Sequence, residues 1–194
     1  IVIIADEVMT GFGRTGSLFA MDQCEEKPDL IALSKGITGG FLPMGVTVCT
    51  NDMHASFWSE GEEGKMKTFL HGHSYTANPL ACAAGCASLD LMEKEETWEN
   101  VRRIEKQHAE FALEALKLEG VAFVRHKGTI LAVEYETGAQ TGYFNSLRDR
   151  MYDFFIDKGI ILRPLGNIIY IIPPYCISEY ELNSVYQAIR EFKP

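Results

Sequence analysis

Two short apolar runs constrain the fold most, because each leads directly into polar residues. Ile1–Ala5 is almost entirely β-branched, which is typical of a strand buried on both faces of a parallel sheet, and Asp6 follows it. Leu30–Leu33 is a second such run and is followed by Ser34 and Lys35. Parallel strands end at a common sheet edge, where open α/β sheets bind their ligands. The sequence therefore predicts an α/β fold with Asp6 and Lys35 at such an edge.

Asp6 and Lys35 each permit two interpretations. A charge at the end of an apolar strand needs a partner, so Asp6 either accepts hydrogen bonds from loop amides or faces a binding crevice. Lys35 either extends into solvent or acts as a desolvated nucleophile, since the stretch Leu30 to Leu42 holds no other charge. Together, the two residues suit pyridoxal phosphate (PLP), whose aldehyde binds a lysine and whose ring nitrogen needs an acidic partner.

Composition excludes several other classes of function. The 194 residues contain 27 acidic and 18 basic side chains, a net charge of −9 that disfavours a nucleic-acid partner. No apolar run approaches the roughly 20 residues that cross a bilayer. The five cysteines form no CxxC pair, which indicates a reducing, cytoplasmic location. The chain opens inside a predicted strand rather than at a methionine, so we expect it to be a piece of a longer protein.

The order of the elements predicts two domains that divide near residue 95. In residues 1–95, a short helix with an exposed loop is expected over Asp52–Lys67, and a longer helix begins at Asn78-Pro79, an N-cap followed by a first-turn proline. In residues 96–194, a long amphipathic helix precedes a compact β-β-α-β-β-α layer. The predicted strands of that layer are Val121–Arg125, Thr129–Tyr135, Ile160–Arg163 and Ile168–Ile172, and its helices are Asn145–Lys158 and Glu179–Phe192.

Gly11–Gly16 matches the GxGxxG pattern of nicotinamide-binding folds, but its context differs. In those folds the glycines follow a strand immediately and open a helix. Here Asp6–Thr10 separates them from the strand, and no helix start follows. We therefore interpret the segment as a tight glycine turn that lets the backbone pass close to another part of the molecule.

Three segments resemble the signature segments of class III aminotransferases, which are PLP enzymes of fold type I. They are Asp6–Gly16, Lys27–Gly40 and His71–Ala84, and the resemblance extends over essentially the whole chain. It implies that residues 1–95 form the C-terminal part of a PLP-binding large domain with a mainly parallel sheet. Residues 96–194 would then form the connecting helix and the small α+β C-terminal domain.

The resemblance implies a set of cofactor-binding residues. Lys35 would bind the PLP aldehyde and move a proton during catalysis, and Asp6 would pair with the pyridine nitrogen. Val8 would pack on one face of the ring. Ser74, with the backbone of His73, would contact the phosphate of a neighbouring subunit's cofactor, so the family implies a homodimer with shared active sites.

The histidine-rich segment departs from the family pattern at two positions. Ser74 stands where threonine is usual, which keeps a hydroxyl group, and His73 stands where proline is usual. His71 and His73 could also be interpreted as a metal-binding pair. No cysteine or carboxylate cluster accompanies them, so we expect no metal site.

The same resemblance implies substrate-binding residues. Gly72 would lie against the substrate, Arg163 would bind its carboxylate, and Tyr170 would line the same pocket; Arg163 could instead be a sheet-edge residue paired with an acidic surface. Arg163–Tyr175 is most similar to the family members that transfer an amino group from S-adenosylmethionine to 8-amino-7-oxononanoate in biotin biosynthesis. The alternatives are a class III enzyme acting on an ω-amino acid or diamine, and a non-catalytic assembly protein that keeps the fold.

Overall fold

The computed structural model describes residues 1–58, 67–138 and 141–194, which form two compact units. The first unit comprises Ile1–Phe12 and Ser17–Lys94. The second unit comprises Gly13–Gly16 and Glu95–Pro194. The chain thus divides between Lys94 and Glu95, but Gly13–Gly16 folds with the second unit, which the sequence did not indicate.

The first unit contains a three-stranded sheet of β1 (Ile4–Asp6), β2 (Leu30–Leu33) and β3 (Val46–Cys49). β1 and β2 are parallel, whereas β2 and β3 are antiparallel, so the sheet of this chain is mixed rather than mainly parallel. The reason lies in the connection 34–45, which holds only the 3-10 helix Lys35–Thr38. A parallel return needs a longer crossover, usually an α-helix.

The expectation that Ile1–Ala5 is buried on both faces is wrong for this chain. Ala5 is buried, but the side chains of Ile1, Val2 and Ile4 are exposed. Within the described residues β1 pairs only with β2, so its other edge and much of its surface lack neighbours. The β-branched composition indicates that the strand suits a central position in a sheet. It does not indicate whether strands on both sides are present in this chain.

Two helices complete the first unit, α1 (Asn51–Ser56) and α2 (Pro79–Met92). α2 begins where the sequence predicts, because the side chain of Asn78 accepts hydrogen bonds from the amides of Leu80 and Ala81 at 3.0 and 3.2 Å. The helix expected within Asp52–Lys67 is α1. Residues 59–66 of the loop expected beside it lie outside the described residues.

The second unit begins with the long helix α3 (Glu95–Ala115) and continues with an antiparallel sheet of β4 (Val121–Lys127), β5 (Ile130–Tyr135) and β6 (Ile168–Ile171). α4 (Leu147–Asp157) lies between β5 and β6 along the chain, and α5 (Glu179–Glu191) follows β6. One face of the sheet packs with the three helices around a fully buried core that includes Leu131, Val133, Met151, Phe155, Ile169 and Leu182. No helix in the described part of the chain has the length and apolar character needed to cross a membrane.

The strand predicted at Ile160–Arg163 does not form. The amide of Ile160 bonds to the carbonyl of Phe155 at the end of α4, and only Leu165 makes a bridge, to Ile168. Pro164 lacks an amide donor and so interrupts any ladder at this point. Residues 160–164 are consequently an irregular connection.

Candidate active site

Asp6 and Lys35 lie at the same edge of the first unit's sheet. The parallel register pairs Ile4 with Leu30 and Asp6 with Ala32, so β1 and β2 end side by side. Asp6 is the last residue of β1, and Lys35 is the second residue after β2. Both side chains are exposed. A carboxylate and an amine are therefore available at one sheet edge, the two kinds of group that a PLP site uses for the ring nitrogen and the aldehyde.

Asp6 makes the hydrogen bond expected of a strand cap without using both oxygens. Its Oδ1 accepts from the amide of Val8 at 3.0 Å, which fixes the side chain relative to the loop that follows. Val8 is half-buried beside it. The cap and the crevice interpretations are thus compatible, because a carboxylate held by one oxygen presents the other in a defined direction.

Lys35 adopts a backbone conformation that is unfavourable for a side-chain-bearing residue. Its φ is +44°, in the left-handed region, and such strain costs about 1–3 kcal/mol when the surroundings enforce it. The surroundings do so: Ser34 Oγ donates to the carbonyl of Met44 at 2.7 Å, and Ser88 Oγ donates to the carbonyl of Gly36 at 3.0 Å. Strain of this kind clusters at functional sites.

The two interpretations of Lys35 differ in whether its side chain is withdrawn from solvent. Ile37 and Thr38 turn inward and are buried, whereas the Lys35 side chain is exposed. Gly39, Gly40 and Phe41 are exposed as well, so the uncharged residues around the lysine are partly buried and partly at the surface. Sequence polarity alone cannot distinguish these two arrangements.

Gly72, His73 and Ser74 lie in an exposed turn of the first unit. The turn is closed by His73, whose carbonyl accepts from the Thr76 amide at 3.0 Å and whose Nδ1 accepts from the Tyr75 amide at 3.2 Å. One ring nitrogen of His73 is therefore used within the turn. Across the described ranges, no group of three or more histidine, cysteine or acidic residues is arranged to hold a metal ion.

A cavity of about 1130 Å³ adjoins this turn within the first unit. Gly72 and His73 line it together with Ser34, the residue that precedes Lys35. Ser74, Asp6 and Lys35 are not among the lining residues, so the cavity lies beside the sheet edge rather than at it.

Arg163 and Tyr170 belong to the second unit. Arg163 is exposed in the irregular connection after α4, so the strand-turn-strand setting expected for it is wrong. Tyr170 is half-buried in β6, where it pairs with Ala132 on the sheet face opposite the buried Ile169 and Ile171. A tight turn at Leu165–Ile168 separates the two residues along the chain.

Comparison with known proteins identifies the family. The sequence model described as aminotransferase class III matches residues 1–192. The chain belongs to the class III aminotransferase family.

Several relatives of this class III chain share one name. It is 45% identical over 191 residues to the adenosylmethionine-8-amino-7-oxononanoate aminotransferase of Synechococcus elongatus, covering 98% of this chain and 43% of that protein. The enzyme of that name from Methanocaldococcus jannaschii is 40% identical over 211 residues, with 98% and 44% covered. The chain thus spans under half the length of these relatives.

Solved structures agree with the class III fold. The crystal structure of the Methanocaldococcus jannaschii enzyme matches with a TM-score of 0.87 and 38% identity, covering 98% of this chain and 46% of that one. A PMP-bound aminotransferase from Vibrio fluvialis matches with a TM-score of 0.85 and 26% identity, covering 98% and 43%. Class III aminotransferases use PLP, and the residues at the sheet edge suit that cofactor.

Glu7 is a structural residue beside the candidate site, and its role was not predicted from the sequence. Its side chain is 1% exposed, and its carboxylate accepts from the amide of Met21 at 2.8 Å and from the hydroxyl of Thr10. Its carbonyl accepts from the amide of Gly11, where an added Cβ would come within 2.9 Å of that oxygen. Glu7 therefore holds together the loop that begins at Val8. A carboxylate among apolar and glycine residues was the available signal.

Arg14 is a second residue whose role sequence reasoning missed. In the second unit its Nη1 donates to the carbonyl of Pro173 at 2.6 Å, and its guanidinium lies 4.8 Å from the centroid of the Tyr175 ring. Burial raises the pKa of Tyr175, and the charge of Arg14 opposes that shift. The carbonyl of Arg14 accepts from the amide of Thr129 at 3.0 Å. The glycine-rich segment is thus a close backbone approach, the interpretation preferred for it over nicotinamide binding.

Proposed function

We propose that this chain supplies Asp6, Lys35 and the substrate-binding residues of a PLP-dependent aminotransferase that moves an amino group from S-adenosylmethionine to 8-amino-7-oxononanoate. The observation that carries the proposal is the parallel register of β1 and β2, which ends both strands at one edge with an amine and a carboxylate. Family membership supports the reaction class. The names of the relatives support the two substrates, and this reaction would serve biotin biosynthesis.

The cofactor would be held by residues of the first unit. PLP, when bound, supplies an aldehyde for amines and a ring that accepts electrons. Lys35 would bind the aldehyde carbon through Nζ and, once released, would accept and return the proton at the substrate carbon. Asp6 would hold the proton of the ring nitrogen with the oxygen that Val8 does not engage. Val8 would pack against a face of the ring, oriented by the same hydrogen bond.

Ser74 and His73 would serve the cofactor of a second subunit. Their turn is exposed, and a hydrogen bond from the amide of His73 to the hydroxyl of Thr76 helps to fix its backbone. A phosphate needs hydrogen-bond donors, and the hydroxyl of Ser74 is one, whereas the amide of His73 already donates to the hydroxyl of Thr76 at 3.1 Å. The proposal therefore includes a homodimer with shared active sites. The cytoplasmic location expected from the cysteines stays a prediction.

The substrate carboxylate would be bound by Arg163. Its guanidinium is exposed, and within the described residues no ion pair involving it is present. A planar fork of donors suits a carboxylate in a bidentate geometry. Tyr170 would line the same pocket as Arg163, and by the family resemblance Gly72 would lie against the substrate.

The preferred substrate pair is supported by the pattern of identities. Among solved structures, the adenosylmethionine-8-amino-7-oxononanoate aminotransferase of Methanocaldococcus jannaschii is 38% identical to this chain, whereas an ω-transaminase from Thermomicrobium roseum is 30% identical over a similar part of the chain. Assays of the whole protein with S-adenosylmethionine, ω-amino acids and diamines as donors would separate the candidates. Activity confined to S-adenosylmethionine is expected.

Borohydride trapping tests the cofactor assignment. The protein is incubated with PLP, reduced, digested and mapped by mass spectrometry, with Lys35→Gln as the matched variant. We expect a pyridoxyl adduct on Lys35, and no more than scattered labelling of the surface lysines Lys106 and Lys117 on either protein. Equal labelling of all lysines in the whole protein would refute the assignment, and so would refute the aminotransferase in favour of a non-catalytic assembly role.

Turnover by these 194 residues alone is a separate matter. They span under half the length of the relatives, and the family resemblance implies that the rest of such an enzyme would supply further cofactor contacts. We expect no measurable transamination by the isolated chain. Appreciable turnover would show that the chain holds a complete site.

A further inference from the structure

We propose that Asn167 is a positioning residue for the segment that presents Arg163 and Tyr170. The inference rests on the proposed role of Arg163 in carboxylate binding. It concerns contacts of the second unit that neither the family motifs nor the proposed reaction assign. Asn167 is a buried amide, 1% exposed, in the turn between the two substrate-binding residues.

Asn167 is joined to the end of β5 by its side chain and its backbone. Its Nδ2 donates to the carbonyl of Tyr135 at 2.8 Å, and its own carbonyl accepts from the amide of Tyr135 at 3.0 Å. Nδ2 also lies 3.3 Å from the Thr141 hydroxyl. One side chain therefore links the turn to a core strand and to the segment that follows that strand.

The turn itself is tight and closely packed. Leu165 and Ile168 exchange two backbone hydrogen bonds of 2.8 and 3.1 Å. Gly166 has a φ of +63°, and a Cβ added there would come within 1.8 Å of the carbonyl oxygen of Gly142. The backbone of the turn is thus fixed on the side that faces Gly142 and on the side that faces Tyr135.

Among the described residues Arg163 belongs to no helix or strand, and it lies between Leu162, which packs against the core of the second unit, and this turn. It lies outside the β5–β6 ladder, and Pro164 separates it from the bridge at Leu165. Tyr170, on the other side of the turn, is fixed by its pairing with Ala132. Anchoring the turn at Asn167 therefore fixes the C-terminal side of position 163 relative to Tyr170, while the packing of Leu162 holds its N-terminal side.

The contacts of Asn167 require the N–H donor of its side chain rather than the shape of that side chain. Nδ2 faces two acceptors, whereas among the described residues Oδ1 has no hydrogen-bond partner. Asn167→Asp keeps the shape but would place a second acceptor against the carbonyl of Tyr135. Asn167→Ala removes the contact. Ile169→Val is the matched control, because it removes a methyl group from a fully buried β6 residue without touching the turn.

The first test is kinetic and uses the whole protein. We expect Asn167→Asp and Asn167→Ala to raise the KM of the carboxylate substrate about tenfold, the equivalent of one buried hydrogen bond, with kcat little changed. Ile169→Val should leave KM unchanged. A loss of kcat alone, or the same KM in all proteins, would overturn the inference. Arg163→Gln is measured in parallel, and an unchanged KM there would instead reject the proposed role of Arg163.

The second test uses the 194-residue chain and does not depend on activity. Hydrogen exchange is followed at the amides of Tyr135, Leu165 and Ile168. Asn167→Asp should accelerate exchange at all three by about tenfold or more, while Ile169→Val leaves the Leu165 amide protected. Unchanged protection at Leu165 and Ile168 in Asn167→Asp would show that the turn does not need the amide, and would overturn the inference.

Discussion

At the scale of single residues, His108 shows how a polar group is accommodated in the second unit's core. It is fully buried on α3, with Nδ1 2.6 Å from the hydroxyl of Tyr186 and Nε2 3.2 Å from the carbonyl of Thr129. A carbonyl only accepts, so Nε2 carries the proton and Nδ1 accepts from Tyr186. Burial lowers the pKa of His108 to about 4, the Thr129 carbonyl opposes this, and the charge of His126 adds to it.

Stability should consequently depend on pH through His108. Between pH 6.5 and about 4 the unfolded chain binds a proton at this histidine and the folded chain does not, so acid removes up to about 3 kcal/mol of stability. Above pH 6.5 the residue contributes no pH dependence. Urea unfolding at several pH values would measure this, with His108→Gln expected to be less stable but to lose that part of the slope. Parallel profiles for the two proteins would contradict the assignment.

For Lys35 we predict a substitution that does not lower the stability of the fold, unlike His108→Gln. Its positive φ is a strain that glycine does not carry. Lys35→Gly should therefore leave stability unchanged or raise it by about 1 kcal/mol while abolishing PLP trapping, because the strain is retained for function. Lys106→Gly, in the exposed part of α3, should lose about 1 kcal/mol. Thermal unfolding without cofactor measures both, and a clear destabilisation by Lys35→Gly would contradict the interpretation of strain.

At the scale of elements, the β4–β5 hairpin illustrates how closely two backbones can approach. Gly128, at the turn of the hairpin, has a φ of +54°. A Cβ there would come within 2.4 Å of the backbone of Thr15 and Gly16. Only glycine satisfies both conditions. The hairpin can approach the Gly13–Gly16 segment this closely because Gly128 carries a hydrogen atom in place of a side chain.

Gly128→Ala should therefore cost more than its backbone conformation alone explains. Gly159 is the matched control, since its φ is +72° and an added Cβ would meet nothing within 4 Å. We expect about 1 kcal/mol for Gly159→Ala, and at least about 2 kcal/mol more for Gly128→Ala. Denaturant unfolding followed by the fluorescence of Trp98, on α3, gives both values. Equal costs would mean that the two segments separate readily.

Elements also show where sequence reasoning succeeds and where it stops. The start of α2 is predictable because Asn78 and Pro79 act locally. The missing strand at Ile160–Arg163 was not, because its apolar residues resemble a strand and only Pro164 and the end of α4 decide otherwise. Asp6 and Lys35 could be placed at one edge from strand endings alone. Asn167 could not be singled out, because its role comes from contacts with Tyr135, which is 32 positions away in the sequence.

At the scale of the whole molecule, the two units differ in how much core they possess. The buried cluster of the first unit consists of Phe12, Leu33 and Ile37. The second unit buries a much larger cluster that draws on all its helices and strands. The first unit also exposes large apolar side chains, among them Ile1, Val2, Ile4, Phe41, Phe69 and Leu70.

The first unit should accordingly be the less stable of the two and the more prone to self-association. We expect hydrogen exchange of β1 and β2 amides to be much faster than that of β5 and β6, since fewer buried contacts oppose opening. Sedimentation should show association that increases with concentration, because unpaired strand edges and apolar patches favour it. Ile4→Lys should reduce the association. Uniform protection in a chain that stays monomeric at high concentration would contradict this.

The inclusion of Gly13–Gly16 in the second unit has a consequence for the order in which the chain folds. Arg14 bonds to Thr129 and Pro173, which follow it by 115 and 159 positions. During synthesis this segment leaves the ribosome long before its partners exist, and a large loop must close before the contacts form. Such distant pairings slow folding, so the last native contacts to appear should be those of Arg14. A fragment made of residues 95–194 alone could never form them.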